Sequence, residues 1–303
     1  MTQPAPGVTP DLFWETMTGF QKSAVLKSAV ELEIFTKIGE GNSTAADIAS
    51  ACNASERGVR IICDSLVTMG FLTKSGTQYA MTDASAAFLD KRSQAYLGSA
   101  LDFILSPQQR RGFDDLTNAV KNGGSSITGD ASMDPESQMW VTFARAMAPL
   151  MFPMAQMTAE HLDLDTTSEI KILDIAAGHG IFGIMAGQKY PNAQIYGADW
   201  ANVLTVAQEN AAKFGMSDRY HTIPGNAFES DFGTGFDAIL VPNFFHHFDV
   251  ETCENFIRKL DGSLAEGGKI ATVEFIPNDD RISPPAAAMF AVVMLAATPA
   301  GDA

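Results

Sequence analysis

Ile172-Leu173-Asp174-Ile175-Ala176-Ala177-Gly178-His179-Gly180-Ile181-Phe182-Gly183 runs from a short apolar strand, through a glycine turn, into the start of an apolar helix. Gly178, Gly180 and Gly183 form a literal G-x-G-x-x-G, in which missing side chains let the backbone approach a nucleoside ligand closely. Downstream, short apolar runs at 194–198, 220–223, 236–240 and 269–275 join the first run at 170–175 as buried parallel strands. Helical runs at 181–190, 203–214 and 250–264 separate them. Strand and helix in alternation predict a doubly wound α/β domain whose ligands sit at the carboxyl ends of the strands.

The glycines alone fit a dinucleotide. Asp174 argues otherwise, because as the end of the first strand it is expected to point a carboxylate into the crevice. A pyrophosphate about 4 Å away would be opposed by about 4 kcal/mol at an effective dielectric near 20. S-adenosyl-L-methionine (SAM) carries no phosphate, and its ammonium and sulfonium attract a nearby anion. Asp199 closes the second strand about 20 residues after Gly178, where an acid accepts ribose hydroxyls; it supports a nucleoside without choosing between cofactors.

Ahead of this domain the pattern is helical. Phe13, Phe20, Ala24, Val25, Ala29, Val30, Leu32 and Phe35 recur at helical spacing and predict one or two amphipathic helices over 12–38. Ser43-Thr44 opens a helix over 45–51, and Ser55 caps another whose inner face is Val59, Ile62, Cys63, Leu66 and Val67. Residues 71–74 and 78–81 flank Ser75-Gly76 as a hairpin. Helix, helix, hairpin is a winged helix, yet Arg57 and Arg60 stand beside Glu56 and Asp64, so packing or dimerisation is favoured over DNA reading. Residues 88–164 are again helical, broken by a connector at Asn122-Gly123-Gly124-Ser125-Ser126. Met147, Met151, Met154 and Met157 follow one helix face, subject to kinks at Pro149 and Pro153, as core or as a binding wall.

The 303 residues carry 36 Asp and Glu against 20 Lys and Arg, a net charge of −16 that repels nucleic acid and anionic membrane surfaces alike. Cys52, Cys63 and Cys253 fit neither a disulfide framework nor a metal site. The polar, Pro-containing residues 1–10 lack an apolar leader core, and no stretch reaches membrane-span length, so a soluble cytoplasmic protein is expected.

At this point the chain resembles the SAM-dependent small-molecule O-methyltransferases of the caffeate, chalcone and acetylserotonin type. The likeness runs from the winged helix through the glycine turn. Phe143-Ala144-Arg145-Ala146-Met147 matches the family's F-x-x-x-M helix, which implies that Phe143 and Met147 face the cofactor and Met151 the substrate. Gly225-Asn226-Ala227-Phe228 is similar to its G-D-x-F, with Asn226 replacing the acid that meets the adenine amino group. Asn226 keeps a carbonyl acceptor, weaker than a charged one. The resemblance adds Gly178, Gly180, Trp200, Ala227, Phe228 and Asn243 to Asp174 and Asp199 as the candidate cofactor set.

His246-His247-Phe248-Asp249-Val250-Glu251-Thr252-Cys253 is similar to the family's H-[DN]-W-x-D-x-x-C. Counting back from Cys253 puts the general base at His246, with His247 where an Asp or Asn stands; both remain candidates to face the substrate. Glu274, at the end of the fifth strand, corresponds to the glutamate that orients the base. Met151, His247 and Met289 form the candidate substrate set, and no metal is implied. The resemblance thus implies a homodimer that methylates a hydroxyl of a small, aromatic acceptor. A SAM-binding dimer without O-methylation (catalytically lapsed, methylating carbon or nitrogen, or regulatory) is the alternative. The domain organisation it implies is a winged-helix dimerisation domain at 1–90, a helical connector contributing to the substrate pocket at 91–164, and a SAM-binding domain at 165–303. That last domain is expected to lack the family's final helix and strand pair, leaving an edge strand unpaired.

Overall fold

Two units divide the chain in a computed structural model, Met1–Leu101 and Asp102–Ala303. Residues 7–125 and 137–303 are described; the first six residues of the polar N-terminus and Ser126 of the expected connector lie outside them.

In the first unit, α1 (Asp11–Met17), α2 (Gly19–Glu31) and α3 (Ile34–Gly39) take the place of the one or two helices expected. Glu33, at φ 56°, sits in the left-handed region between α2 and α3, where a regular helix cannot continue. The hydroxyls of Thr44 and Ser55 accept the amides of Asp47 and Gly58, which starts α4 (Ala45–Ala51) and α5 (Glu56–Thr68) where the cap residues predict. β1 (Leu72–Ser75) and β2 (Gln78–Met81) pair antiparallel around Gly76 at φ 58°, and α6 (Asp83–Phe88) follows. The inner faces of α3, α4, α5 and the hairpin supply Ile34, Phe35, Ile48, Val59, Cys63, Leu66, Leu72 and Tyr79 to one core. Asp64 pairs with both Arg60 and Lys74, so α5 and the hairpin present little free positive charge.

α7 (Ala100–Ile104) carries the chain into the second unit, followed by α8 (Pro107–Asp114), α9 (Leu116–Asn122) and α10 (Gln138–His161). α10 continues through Pro149 and Pro153. Its methionine stripe divides: Met147 and Met151 are buried, Met154 is half-buried and Met157 is exposed. Then β3 (Ile170–Ile175), α11 (Ile181–Lys189), β4 (Ala193–Asp199), α12 (Ala201–Lys213), β5 (Tyr220–Pro224), β6 (Phe236–Pro242), α13 (Val250–Asp261), β7 (Leu264–Val273) and α14 (Pro285–Ala297) follow, strand and helix in turn except that β6 succeeds β5 directly, with a 3₁₀ turn Phe245–His247 after β6.

The five strands pair in parallel in the order β5-β4-β3-β6-β7. β3 lies at the centre, and Ile172, Leu173 and Ile175 are wholly buried there, as a strand covered on both faces requires. The helix expected to reach residue 264 stops at Asp261, and β7 begins at Leu264. There the chain pairs with Phe236, so tertiary pairing overrides the helical pattern. β7 forms one edge of the sheet. The direction of connection reverses between β3 and β6, opening a crevice at their carboxyl ends. Asp174, Asp199, Asn243 and Glu274 all stand at or just past that rim. Among the described residues no helix is long and apolar enough to cross a membrane.

Candidate active site

Gly178 and Gly180 adopt φ 56° and 72°, conformations that glycine takes without penalty, and they let the chain fold back from β3 into α11. A side chain on Gly180 would sit 2.8 Å from the Tyr220 hydroxyl. Gly183 serves packing, since its missing Cβ would lie 2.7 Å from Ile195 and 2.9 Å from Asp174 Oδ2. The amides of the turn are largely engaged within the protein. Ala177 donates to the Ala198 carbonyl, Gly180 to that of Ala177, and Gly178 to Asp199 Oδ2 at 2.8 Å. Ile181 donates to His179 Nδ1 at 3.1 Å and Gly183 to Asp174 Oδ2 at 2.9 Å.

That bonding gives Asp174 a packing role as well. Its carboxyl is wholly buried, and the first turn of α11 holds Oδ2. Burial pushes its pKa up to about 8, and Asp199 nearby adds to the rise. Burial therefore favours the neutral form of Asp174, while Oδ2 holds the turn and Oδ1 has no partner. What disfavours a pyrophosphate is the turn itself, whose amides would have to be free to cradle one. Asp199 bridges the two strand ends, accepting Gly178 N–H on Oδ2 and Trp200 N–H on Oδ1 at 2.7 Å, and burial raises its pKa to about 6.

Across the crevice, Asn243 follows β6 at φ 52°, a left-handed conformation that asparagine tolerates better than most residues. Its amide donates to the Val273 carbonyl, its Nδ2 lies 3.6 Å from Met151 Sδ, and its buried Oδ1 has no partner. The chain then turns through Phe244 and Phe245 to His246. Glu274 Oε1 accepts the amides of Phe244 and Phe245 at 2.9 and 2.8 Å, while Oε2 lies 2.5 Å from His246 Nδ1. Both side chains are buried. Asp249 caps α13 by accepting Thr252 N–H, and Cys253 donates its thiol to the carbonyl of Phe245, so these two motif residues brace the turn.

The O-methyltransferase dimerisation domain family matches residues 14–91, and the O-methyltransferase domain family matches residues 115–302, more than half of the chain. The chain belongs to the O-methyltransferase family. A candidate O-methyltransferase from Nostoc punctiforme, solved by crystallography, is 50% identical and superposes with a TM-score of 0.92, covering 99% of this chain and 89% of its own. Streptomyces sahachiroi 3-hydroxy-5-methyl-1-naphthoate 3-O-methyltransferase is 24% identical over 299 residues, 97% of this chain and 86% of its own length. Mouse acetylserotonin O-methyltransferase is 22% identical over 294 residues, 91% and 76% respectively.

Within this O-methyltransferase framework the remaining sequence candidates separate. Phe143, Met147 and Met151 share one face of α10, with Phe143 edge-on to Phe103 and Trp140. Trp140 in turn meets His247 edge-on at 5.8 Å. Burial, with His246 alongside, pushes the His247 pKa down to about 3, so that imidazole is neutral. Asn226 Oδ1 accepts Phe228 N–H at 3.0 Å, which leaves one lone pair for a ligand. The Ala227 carbonyl binds Lys259 Nζ, and Phe228 packs among Phe244, Phe248 and Phe256, so both support the wall from behind. Trp200 caps α12 and packs beside Ala144, Val203 and Val206.

Met289 is 64% exposed, and its neighbour Phe290 is the residue that meets His246, edge-on at 4.9 Å. One residue along a helix rotates the side chain by about 100°, enough to exchange solvent for site. Phe290 also stacks on Phe275 at 4.0 Å. The sequence reading passed over Trp140, Tyr220 and Phe290. Trp140 had a signal, being three residues before Phe143 on the same helix face.

Proposed function

We propose that this protein transfers a methyl group from S-adenosyl-L-methionine to a hydroxyl of a small aromatic acceptor, with His246 as general base. The observation that carries this reading is the hold of Glu274 on His246. Because Oε1 already accepts two backbone amides, the carboxylate is fixed, and Oε2 receives the Nδ1 proton. Nε2 then keeps its lone pair and can take a proton from the acceptor hydroxyl. No carboxylate contact is recorded for His247 among the described residues, and its neutral ring suits a wall of the acceptor pocket.

The site fits the cofactor on its unsatisfied atoms. Oδ1 of Asp174 and Oδ1 of Asn243 are buried at the ends of β3 and β6 without partners, and a ligand bearing ammonium and hydroxyl donors suits them. Asp199 retains lone pairs for ribose hydroxyls and Asn226 one for the adenine amino group. When bound, the cofactor supplies an electrophilic sulfonium methyl. Phe143, Met147 and Met151 cover its side of the crevice, while Trp140, His247, Phe275 and Phe290 offer flat surfaces to an aromatic ring.

A hydroxynaphthoate and acetylserotonin, named as the relatives' acceptors, support the aromatic class. A base is useful to such an acceptor because a phenol with pKa near 10 is a poor nucleophile at neutral pH. Its contribution is roughly 10² to 10⁴ in rate, and alignment of oxygen, methyl and sulfur can contribute about 7 to 11 kcal/mol more. The dimerisation domain and the exposed Leu12, Phe13 and Phe20 of the first helices support a homodimer. The three free cysteines suit a reducing cytoplasm.

Incubation with SAM and a panel of phenols, followed by mass spectrometry, tests the reading. A methylated oxygen is expected, and loss of product by about 10² to 10⁴ in His246→Ala with SAM affinity retained. Binding of SAM without any methylated phenol favours the non-O-methylating alternative. Calorimetric heat with NADH and none with SAM would favour a dehydrogenase.

A further inference from the structure

Beyond α14 the chain returns to the back of the turn that carries His246 and His247, and Thr298 is the node of that return. Its amide and its hydroxyl both donate to the Met294 carbonyl at 2.8 Å, its hydroxyl oxygen accepts Gly301 N–H at 2.8 Å, and its carbonyl accepts Ser125 N–H at 2.8 Å. Thr298 is buried, so each of these bonds is made away from water. Just before it, Gly112 of α8 packs against the Ala296 carbonyl, with no room for a side chain between them. On the other side of residue 301, Arg281 donates to the Asp302 carboxylate at 2.6 Å and to the Ala303 carbonyl at 2.7 Å. Residue 301 is therefore held from both directions.

Gly301 packs its α-carbon directly on the backbone of the catalytic turn. A Cβ there would overlap the His246 carbonyl oxygen and lie 3.0 Å from the His247 carbonyl carbon. Both are backbone atoms, which cannot swing aside as the end of a flexible side chain can, so the main chain itself would have to shift. Gly301 is not in the left-handed region, and close approach is what requires a glycine here. His246 is thus gripped at three points: Glu274 holds Nδ1, Phe290 meets the edge of the ring, and Gly301 backs the carbonyl. The first two set the tautomer and the plane of the ring. Neither sets how far the main chain of the 3₁₀ turn stands from the crevice. We propose that Gly301 is a positioning residue for the base, fixing the reach of His246 Nε2 toward the acceptor hydroxyl through this backbone contact. The proposal rests on the reading of His246 as general base.

The test measures kcat with two acceptors, an ordinary phenol and an electron-poor phenol already ionised at the assay pH, which needs no base. S-adenosylhomocysteine affinity is read by calorimetry on the same full-length variants. Gly301→Ala, whose added methyl must drive the His246 carbonyl away because residue 301 cannot retreat, is expected to lower kcat about tenfold or more on the ordinary phenol. On the ionised phenol the change is expected to stay within about twofold, with S-adenosylhomocysteine affinity unchanged. Thr298→Val adds no atom and removes the hydroxyl that holds Gly301 N–H, so it probes the same contact without overlap; a smaller loss with the same acceptor selectivity is expected. Equal loss on both acceptors, or no loss on either, overturns the proposal. His246→Ala measured alongside separates the two readings. If it loses equally on both acceptors, the base reading itself fails; if it is selective and Gly301→Ala is not, only the positioning role fails.

Discussion

Nδ1 of His246 lies 2.5 Å from Oε2 of Glu274, across the gap between the carboxyl ends of neighbouring strands β6 and β7. The two residues are 28 positions apart in the chain. Their meeting depends on the β6–β7 register, in which Pro242 faces Val273, so that each strand releases its functional residue at the same level.

Replacing Glu274 by glutamine should invert the imidazole. The amide oxygen can still accept Phe244 and Phe245, but its NH₂ group would face Nδ1 and drive the ring proton to Nε2, removing the base. A fall in kcat of about 10² is expected with little change in SAM affinity. Steady-state kinetics checks this, and in the double variant with His246→Ala the second change should add little.

Phe290 and Met289 separate the two faces of α14. Phe290→Ala should raise KM for an aromatic acceptor about three- to tenfold, the range for an aromatic contact. Met289→Ala, on the exposed face, should leave both constants within error. Equal effects would place the acceptor elsewhere.

Asn226→Asp should tighten S-adenosylhomocysteine binding about five- to tenfold, because a charged acceptor forms the stronger hydrogen bond to the adenine amino group. The Asp side chain can still accept Phe228 N–H, so the local turn is kept. Calorimetry reads the change, and unchanged affinity would remove residue 226 from the adenine site.

Asp174 should leave a signature in the pH dependence of stability. Its pKa is raised from 3.8 to about 8 by burial, so the folded state holds a proton that the unfolded state releases. That contribution is complete below 3.8 and is lost as pH rises toward 8. His179 and His247, lowered from 6.5 to about 4 and about 3, act in the opposite sense, an effect that fades above pH 7. Asp199, raised to about 6, is almost fully ionised from pH 7 upward. Between pH 7 and 8 the melting temperature should therefore fall more steeply in the unaltered protein than in Asp174→Asn; identical slopes would contradict the buried-acid assignment.

Much of the site was legible because its residues lie within short motifs. The turn from Asp174 to Gly183 has its strand, glycines and helix in one local run, and the caps Thr44, Ser55 and Asp249 act over three residues. Asp199 follows from strand adjacency and about one βα unit of chain. The tail of the motif after His246 was readable as spacing but not as role: Asp249 and Cys253 prove to brace the backbone of the turn. Burial was not legible. Asp174 ends its strand as expected, yet its carboxyl is wholly buried, and the rise in its pKa follows from that enclosure, against the opposing pull of the Gly183 hydrogen bond.

By itself the sequence determined the order of strands and helices and the position of the glycine turn, because periodicity, capping and backbone freedom are properties of neighbouring residues, while His246 and Glu274 came from likeness to the family's motif. Only the tertiary structure decided which of two adjacent histidines meets the glutamate, which of Met289 and Phe290 turns inward, and which carboxyl is denied to solvent. Those outcomes depend on strand register, helix rotation and enclosure by residues distant in the chain, and no local pattern carries them.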